Sequence, residues 1–359
     1  MLPYLVIFLF ATFLFFQNNE KRVSVGFYIF LAVLIVFAGF RDMIGGYDVY
    51  VYSEIYESPY EFLVLYDLFE PGFRFYYLFL RIFSDNRHFM LFMTSVIMMS
   101  LLFYNIKRNS PIVYFSIFVL FCKFYLMSFV YLRQGLAMGV LWLSIPYIYD
   151  KKYIKFFLLT LLGFFLHKSS IIFLPMFFLA NIKLKNLHLF LIAVVALIIS
   201  LTPLSSLLLE NLAESVDDSK VSIYIAKSGG VNFFYLLEAL LLIILLLKFK
   251  TKFYETKWGI LILNGFFAYI IISVIALTNA SFVRFTWYYF IFLTIALPYI
   301  YNFIEDKKSK NVFKLIVFIY FGMLYFRLLY LYDDGDFMPY KTIFDNVDRR
   351  GMWEHFEYR

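Results

Sequence analysis

Three arginines, one histidine and two carboxylates are the side chains best suited to chemistry on an anionic or hydroxyl-bearing ligand. Arg133 lies in SFVYLRQGLA (128–137), where one apolar run ends and another begins, so it sits at the edge of an apolar layer beside Gln134. An arginine kept inside such a layer costs about 2–3 kcal/mol, so it snorkels, pairs or binds an anion. Its permanently charged, planar fork of donors suits phosphate oxygens. Arg41 and Arg284 (in NASFVRFTWYY) share this boundary position. His167, in FFLHKSS, stands at the tip of a hairpin of two short apolar runs, and only Lys168–Ser170 separate it from the returning one. Histidine titrates near neutrality and can take or return a proton; the alternative is an interfacial ring bonded to a carbonyl. Asp48 and Glu70 occur among Tyr47, Tyr50, Tyr52, Tyr56 and Tyr66. Carboxylates that accept from hydroxyls beside flat rings suit sugar recognition, although the same tyrosines also make an interfacial belt.

The elements that must position these groups are apolar helices. The chain has 359 residues, of which 63% are hydrophobic and 23% aromatic, with a mean hydropathy of +0.79. Apolar content this high, cut into runs of span length, excludes a soluble globular domain and predicts an all-α polytopic membrane protein. The expected spans are 1–16, 25–40, 88–106, 111–131, 134–149, 153–166, 171–180, 187–209, 233–247, 258–277, 286–304 and 312–331. The run 73–83, with Arg74 and Arg81, reads as a re-entrant or interfacial helix. The first span lacks a basic leader and a small-residue cleavage site, so it reads as retained.

The net charge of +7 belongs to cytoplasmic loops, not to nucleic-acid binding. Lys21, Arg22, Lys107, Arg108, Lys151, Lys152, Lys183, Lys185, Lys248, Lys250, Lys252, Lys257, Lys307, Lys308, Lys310 and Lys314 form one set of loops. The alternate set, 41–87 and 210–232, is acidic or mixed, with Glu54, Glu57, Glu61, Asp67, Glu214, Asp217 and Asp218. About twelve crossings put every basic loop on one side, with both termini outside. Residues 1–331 then form a transmembrane domain and 332–359 an extracytoplasmic tail. Arg41, Asp48, Glu70, Arg133, Gln134, His167 and Arg284 all fall at the outer boundary.

Some residues stay open. Lys123 and Glu238 lie within spans and either snorkel, pair with one another or serve function. His88, His188 and His355 read as ordinary boundary or tail residues. The run DDGD (333–336) could hold a hard cation but reads first as a solvated loop. Cys122 is the sole cysteine and excludes an intrachain disulfide or a cysteine metal cluster. No Walker, HExxH or GxSxG motif occurs.

The order of motifs carries a resemblance. Arg41…Gly46-x-Asp48…Tyr52, Glu70-Pro71-Gly72-Phe73, Ser128-Phe129-x-x-Leu132-Arg133-Gln134-Gly135-Leu136-Ala137, His167-x-Ser169 and Leu174-Pro175 follow one another along the chain. With Arg284 and Pro339-Tyr340-Lys341-Thr342-Ile343-Phe344, this resembles the EpsG-like family of bacterial exopolysaccharide polymerases, which are similar to Wzy-type polymerases of O-antigen and capsule pathways. Lys168, directly after the histidine, departs from the small or apolar residue expected there, and its charge bears on the ring's protonation. The resemblance implies a GT-C-like helical bundle in the bacterial cytoplasmic membrane, active on its outer face. It would transfer a growing glycan from undecaprenyl pyrophosphate to a lipid-linked repeat unit. His167, Arg133 and Arg284 would be catalytic, and Arg41, Asp48, Glu70, Gln134 and Tyr340 would bind substrate. No metal or cofactor is implied; membrane lipid and a chain-length regulator are candidate partners, and nucleic acid is not. The alternatives are a transporter or flippase of lipid-linked oligosaccharide, which should show internal repeats and midplane charges, and a glycan ligase.

Overall fold

Apolar runs bounded by proline, glycine and asparagine fold into helices throughout. The structure, a computed structural model, describes residues 1–17, 23–205, 207, 231–279, 282–331 and 337–345. The helices are α1 Leu2–Phe16, α2 Val25–Gly39, α3 Tyr47–Glu57, α4 Tyr60–Leu65, α5 Pro71–Arg81, α6 Arg87–Asn109, α7 Val113–Leu120, α8 Met127–Val130 and α9 Leu132–Trp142. They continue with α10 Ile145–Tyr149, α11 Tyr153–Leu166, α12 Met176–Leu179, α13 Asn186–Leu201, α14 Phe233–Phe253, α15 Lys257–Ile275, α16 Val283–Phe303 and α17 Lys307–Leu331. No strand occurs among the described residues; the single β contact is an isolated antiparallel bridge, Arg41 with Thr342. Among the described residues, four helices, α6, α15, α16 and α17, are long and apolar enough to cross a membrane by themselves, and shorter apolar helices accompany them. The protein is therefore a helical, multi-pass membrane protein. Lys21, Arg22, most of the 210–232 loop with its Glu214, Asp217 and Asp218, the 333–336 cluster and His355 lie outside the described residues.

Two units divide the chain. The first comprises 1–140, 165–167 and 304–359, the second 141–164 and 168–303. Lipid is as apolar as leucine, so helices within a membrane associate by packing and hydrogen bonds rather than by the hydrophobic effect. Aromatic interlock supplies that packing in the first unit. Phe8 stacks on Tyr325 at 5.4 Å between centroids, and Phe15 meets Phe118 at 4.4 Å, joining α1, α7 and α17. The Tyr125 hydroxyl donates to the Leu34 carbonyl at 2.8 Å. In the second unit, α15 is the central element, touching α10, α12, α13, α14 and α16. Its Asn264 amide donates to the carbonyls of Leu179 (2.5 Å) and Ile182 (2.8 Å), which α12 leaves open at its end.

Several expected spans are altered, each for a local reason. The 111–131 run is helical but broken by a π-helical turn, Phe121–Tyr125, which holds the buried Lys123. The 134–149 run is two helices, because Pro146 lacks an amide donor and starts α10 afresh. The 171–180 run is not an α-helical span at all. It is a 3₁₀ segment, Lys168–Phe173, followed after Pro175 by the single turn α12. α16 opens at Val283, so Arg284 lies within its first turn rather than ahead of it. α14 runs on through Lys248, Lys250 and Lys252, whose charges oppose the negative end of the helix dipole. The 73–83 run is α5, too short to cross; it buries Phe73, Tyr77 and Leu80 and exposes Phe75 and Phe79, as an interfacial helix does.

Candidate functional site: a histidine and an arginine on one buried carboxylate

Three local devices bring the site together within the first unit. The first is the corner at Tyr131 (φ −94°, ψ 60°), which ends α8 and lets α9 restart at Leu132. The Gly135 amide donates back to the Tyr131 carbonyl at 2.7 Å, so Arg133 is held in the opening turn of α9. The second is the glycine turn before α3: Gly45 and Gly46 have φ +126° and +81°, values that side-chain-bearing residues rarely adopt. A Cβ on Gly45 would stand 2.9 Å from the Phe129 carbonyl oxygen, so the turn lies directly on the end of α8. The third is Glu70-Pro71-Gly72-Phe73. Pro71 starts α5 in the position where its missing amide costs nothing, and Glu70 is the N-cap residue. A Cβ on Gly72 would meet the Phe165 carbonyl oxygen at 2.8 Å, so only glycine lets the two backbones approach this closely. That approach sets Glu70, two residues before the contact, beside His167, two residues after it.

The resulting cluster is closely bonded. Glu70 is 5% exposed. Its Oε2 accepts from Arg133 Nη1 at 2.7 Å, and its Oε1 lies 2.7 Å from His167 Nδ1. Arg133 Nη1 also donates to the Leu68 carbonyl (3.0 Å), and its Nε donates to the Tyr52 hydroxyl (3.3 Å). The guanidinium stands 4.9 Å from the Phe69 ring centre and 5.8 Å from that of Tyr52. Leu68, Phe69 and Glu70 thus wrap the arginine with a carbonyl, a ring face and a carboxylate in succession. No described residue takes a hydrogen bond from Arg133 Nη2, and the side chain is 22% exposed, which leaves a donor for an anion. Burial raises the Tyr52 phenol above its usual range and nearby Asp48 adds to this, while Arg133 opposes it, so Tyr52 stays a neutral hydroxyl.

The other sequence-derived residues fall elsewhere. Asp48 is half-buried in the first turn of α3, where the helix dipole favours it, one turn before Tyr52. Gln134 is buried beside Arg133. Arg41 is fully buried, and its donors go to the carbonyls of Ile44 (2.9 Å), Ala38 and Phe129 (3.3 Å), with Phe129 under the guanidinium at 4.6 Å. Burial lowers its pKa to about 10, which still leaves it charged at neutrality. Tyr340 donates to the Phe37 carbonyl at 2.7 Å and stacks on that ring at 4.1 Å. Burial pushes its phenol up to about 12, so it remains a donor. Around it the tail is pinned to the end of α2: the Asp42 amide donates to Lys341 and the Ile343 amide to Phe40. Arg284 belongs to the second unit, half-buried. In that unit the Ser169 and Tyr288 hydroxyls are 2.7 Å apart, and Tyr269 donates to Glu238 at 3.0 Å.

Sequence reasoning placed Glu70, Arg133 and His167 on one side of the membrane but did not join them. It read Tyr52 as a sugar-facing or belt tyrosine and a family motif, not as a partner of Arg133, and passed over Phe69, although Phe69 directly precedes the Glu-Pro-Gly signal. Among the described residues no group of three His, Cys, Asp or Glu side chains is gathered for a metal ion.

A helical multi-pass membrane protein with a histidine and an arginine joined on a buried carboxylate is the class that fold and site define. Residues 24–342 match the model of the EpsG family, and the chain belongs to that family, one associated with polysaccharide polymerase activity. The matched region contains all eight sequence-derived site residues. No curated protein and no solved structure matches the chain.

Proposed function

We propose that this protein polymerises lipid-linked oligosaccharide repeat units by glycosyl transfer at the outer face of the bacterial cytoplasmic membrane. The donor is a growing glycan on undecaprenyl pyrophosphate, and the acceptor is a sugar hydroxyl at the non-reducing end of an incoming lipid-linked unit. The bond from the anomeric carbon to the pyrophosphate oxygen breaks, a glycosidic bond to the acceptor oxygen forms, and His167 takes the acceptor's proton. Arg133 stabilises the leaving pyrophosphate as charge develops there, a role in which pre-placed donors are most effective, and Arg284 is assigned the same task. Asp48, Gln134 and the tyrosines of α3 and the 60–70 segment are assigned to the sugars. A GT-C-like bundle of about twelve crossings, an extracytoplasmic tail and a chain-length regulator belong to the same reading.

The observation that carries it is the meeting of His167 and Arg133 on one carboxylate, in a chain of this family. The cluster has a proton acceptor and an anion-binding group side by side, which this reaction needs and a passive lipid anchor does not. The test is the surface polysaccharide of a deletion strain complemented with His167→Gln. A positioned base contributes roughly 10²–10⁴-fold, so the variant should reach the membrane in normal amount yet leave single repeats without polymer. Normal polymer from His167→Gln sinks the base assignment. Loss of single repeats from the outer face in the deletion strain would instead mark a flippase, and retained long chains without transfer to their final lipid a ligase.

A further inference from the structure

We propose that Glu70 is a positioning residue for this transfer. One of its oxygens fixes the tautomer and orientation of His167, the other holds the fork of Arg133, and the base and the anion-binding group are thereby kept in register. The inference rests on the reading of the site given above and assigns to Glu70 a role other than sugar binding.

The geometry separates the two roles. A sugar-binding carboxylate needs oxygens that face the ligand, whereas Glu70 is 5% exposed and each oxygen already has a protein donor at 2.7 Å. A carboxylate against Nδ1 keeps the ring proton on that nitrogen, so proton transfer from the acceptor runs through Nε2. It also stabilises the imidazolium that forms when the proton is taken. Toward the arginine, the carboxylate acts with the Leu68 carbonyl and the Tyr52 hydroxyl, which engage Nη1 and Nε. Those three contacts orient the guanidinium and leave Nη2 as the donor for a phosphate oxygen. The fixed spacing comes from the backbone: Pro71 starts α5, and Gly72 lies against the Phe165 carbonyl. Motion of the 68–70 segment would therefore disturb the base and the anion site together.

The experiment uses purified full-length protein in proteoliposomes, with lipid-linked repeat units extracted from a strain that lacks it. Glu70→Gln should lower kcat at least about tenfold, as loss of an orienting carboxylate does in related His-dependent catalysis, with KM changed less than about threefold. The acidic limb of the pH–rate profile should move to lower pH: the lost negative charge had favoured the protonated ring, so protonation of His167 now needs more acid. Because part of the effect of Glu70 runs through His167, the double variant Glu70→Gln/His167→Gln should lose clearly less than the product of the two single losses. A raised KM with kcat kept would restore the sugar-binding role, and an unmoved pH limb with additive losses would leave only a structural one; either overturns the proposal. Should Glu70→Gln fail to reach the membrane, Glu70→Asp decides. Its shorter arm cannot span both partners, so kcat should fall at unchanged KM, and a wild-type kcat overturns the proposal. Normal polymer from His167→Gln defeats the underlying reading. An inactive His167→Gln beside a normal Glu70→Gln defeats this inference alone.

Discussion

At the scale of single residues, the arrangement turns on what a guanidinium can do that an ammonium cannot. Arg133 engages Glu70, the Leu68 carbonyl and the Tyr52 hydroxyl through two nitrogens while its plane covers Phe69. A lysine has one nitrogen and cannot repeat that pattern. Arg133→Lys keeps the charge and should still lose about tenfold or more in chain extension, since a hydrogen bond to a charged group is worth about 1.5–3 kcal/mol. The alanine variant tests the idea less cleanly. It leaves the Glu70 carboxylate buried without its cation, a loss of about 3–5 kcal/mol for a fully buried pair and less here, where Arg133 is partly exposed. The lysine variant's rate at matched protein level, with its melting temperature in detergent, separates the two effects. Wild-type turnover from the lysine variant would return Arg133 to a membrane anchor. The types of these residues and their places at the ends of apolar runs were legible in the sequence, because arginine, histidine and glutamate stand out there. Their contact was not: Glu70, Arg133 and His167 come from distant segments, and periodicity says nothing about which boundaries meet. Arg41 shows the same blindness from the other side. Its position suggests a ligand site, yet its donors are directed at backbone carbonyls.

At the scale of elements, the backbone between the helices does the positioning. Hydropathy finds the longer helices well: α1, α2, α6, α11 and α15 begin and end close to the expected apolar runs, and α17 ends with its run but begins five residues earlier, at Lys307. It fails where a run is apolar but not helical. Pro175 and Pro146 were visible, but their effect was outweighed by uninterrupted apolar composition, and the π-helical turn at Phe121–Tyr125 has no sequence signal of its own. The Glu-Pro-Gly motif was legible as a motif and is explained by the contact it permits. Gly72→Ala would place a methyl group 2.8 Å from a carbonyl oxygen, and the nearest atoms belong to backbone, which cannot swing aside as a flexible side chain can. α5 must then retreat from Phe165 and draw Glu70 away from His167. The expected outcome is protein that still inserts and extracts in normal amount but extends chains at least about tenfold more slowly, in line with the contribution of a positioned base. The same substitution at Gly135 is the control. There the atom in the way is the Met98 sulfur, on a flexible side chain, so Gly135→Ala should cost less. Equal rates for Gly72→Ala and wild type would mean that the close approach does not govern the site.

For the molecule as a whole, the sidedness of charge bears on the outer face proposed for the site. Lys307 and Lys308 are exposed in the first turn of α17, with Lys310 half-buried beside them, whereas the segments carrying the site expose Glu61 and Asp67. Cytoplasmic loops retain lysine and arginine, and acidic residues contribute little to orientation, so the proposed orientation assigns the basic set to the inner side. In the orientation proposed above, the α3–α5 region is expected to face outward together with Glu70, Arg133 and His167. The prediction uses two exposed positions in a Cys122→Ser background. Glu61→Cys should react with a membrane-impermeant thiol reagent in intact cells or spheroplasts, and Lys308→Cys only after the membrane is opened. Cys122 itself is buried and should label in neither condition, which makes the unmodified chain the blank. Reaction of both engineered cysteines from the same side would overturn the orientation. Reaction of Lys308→Cys alone from outside would turn the site toward the cytoplasm, where a polymerase fed by flipped lipid-linked units could not use it.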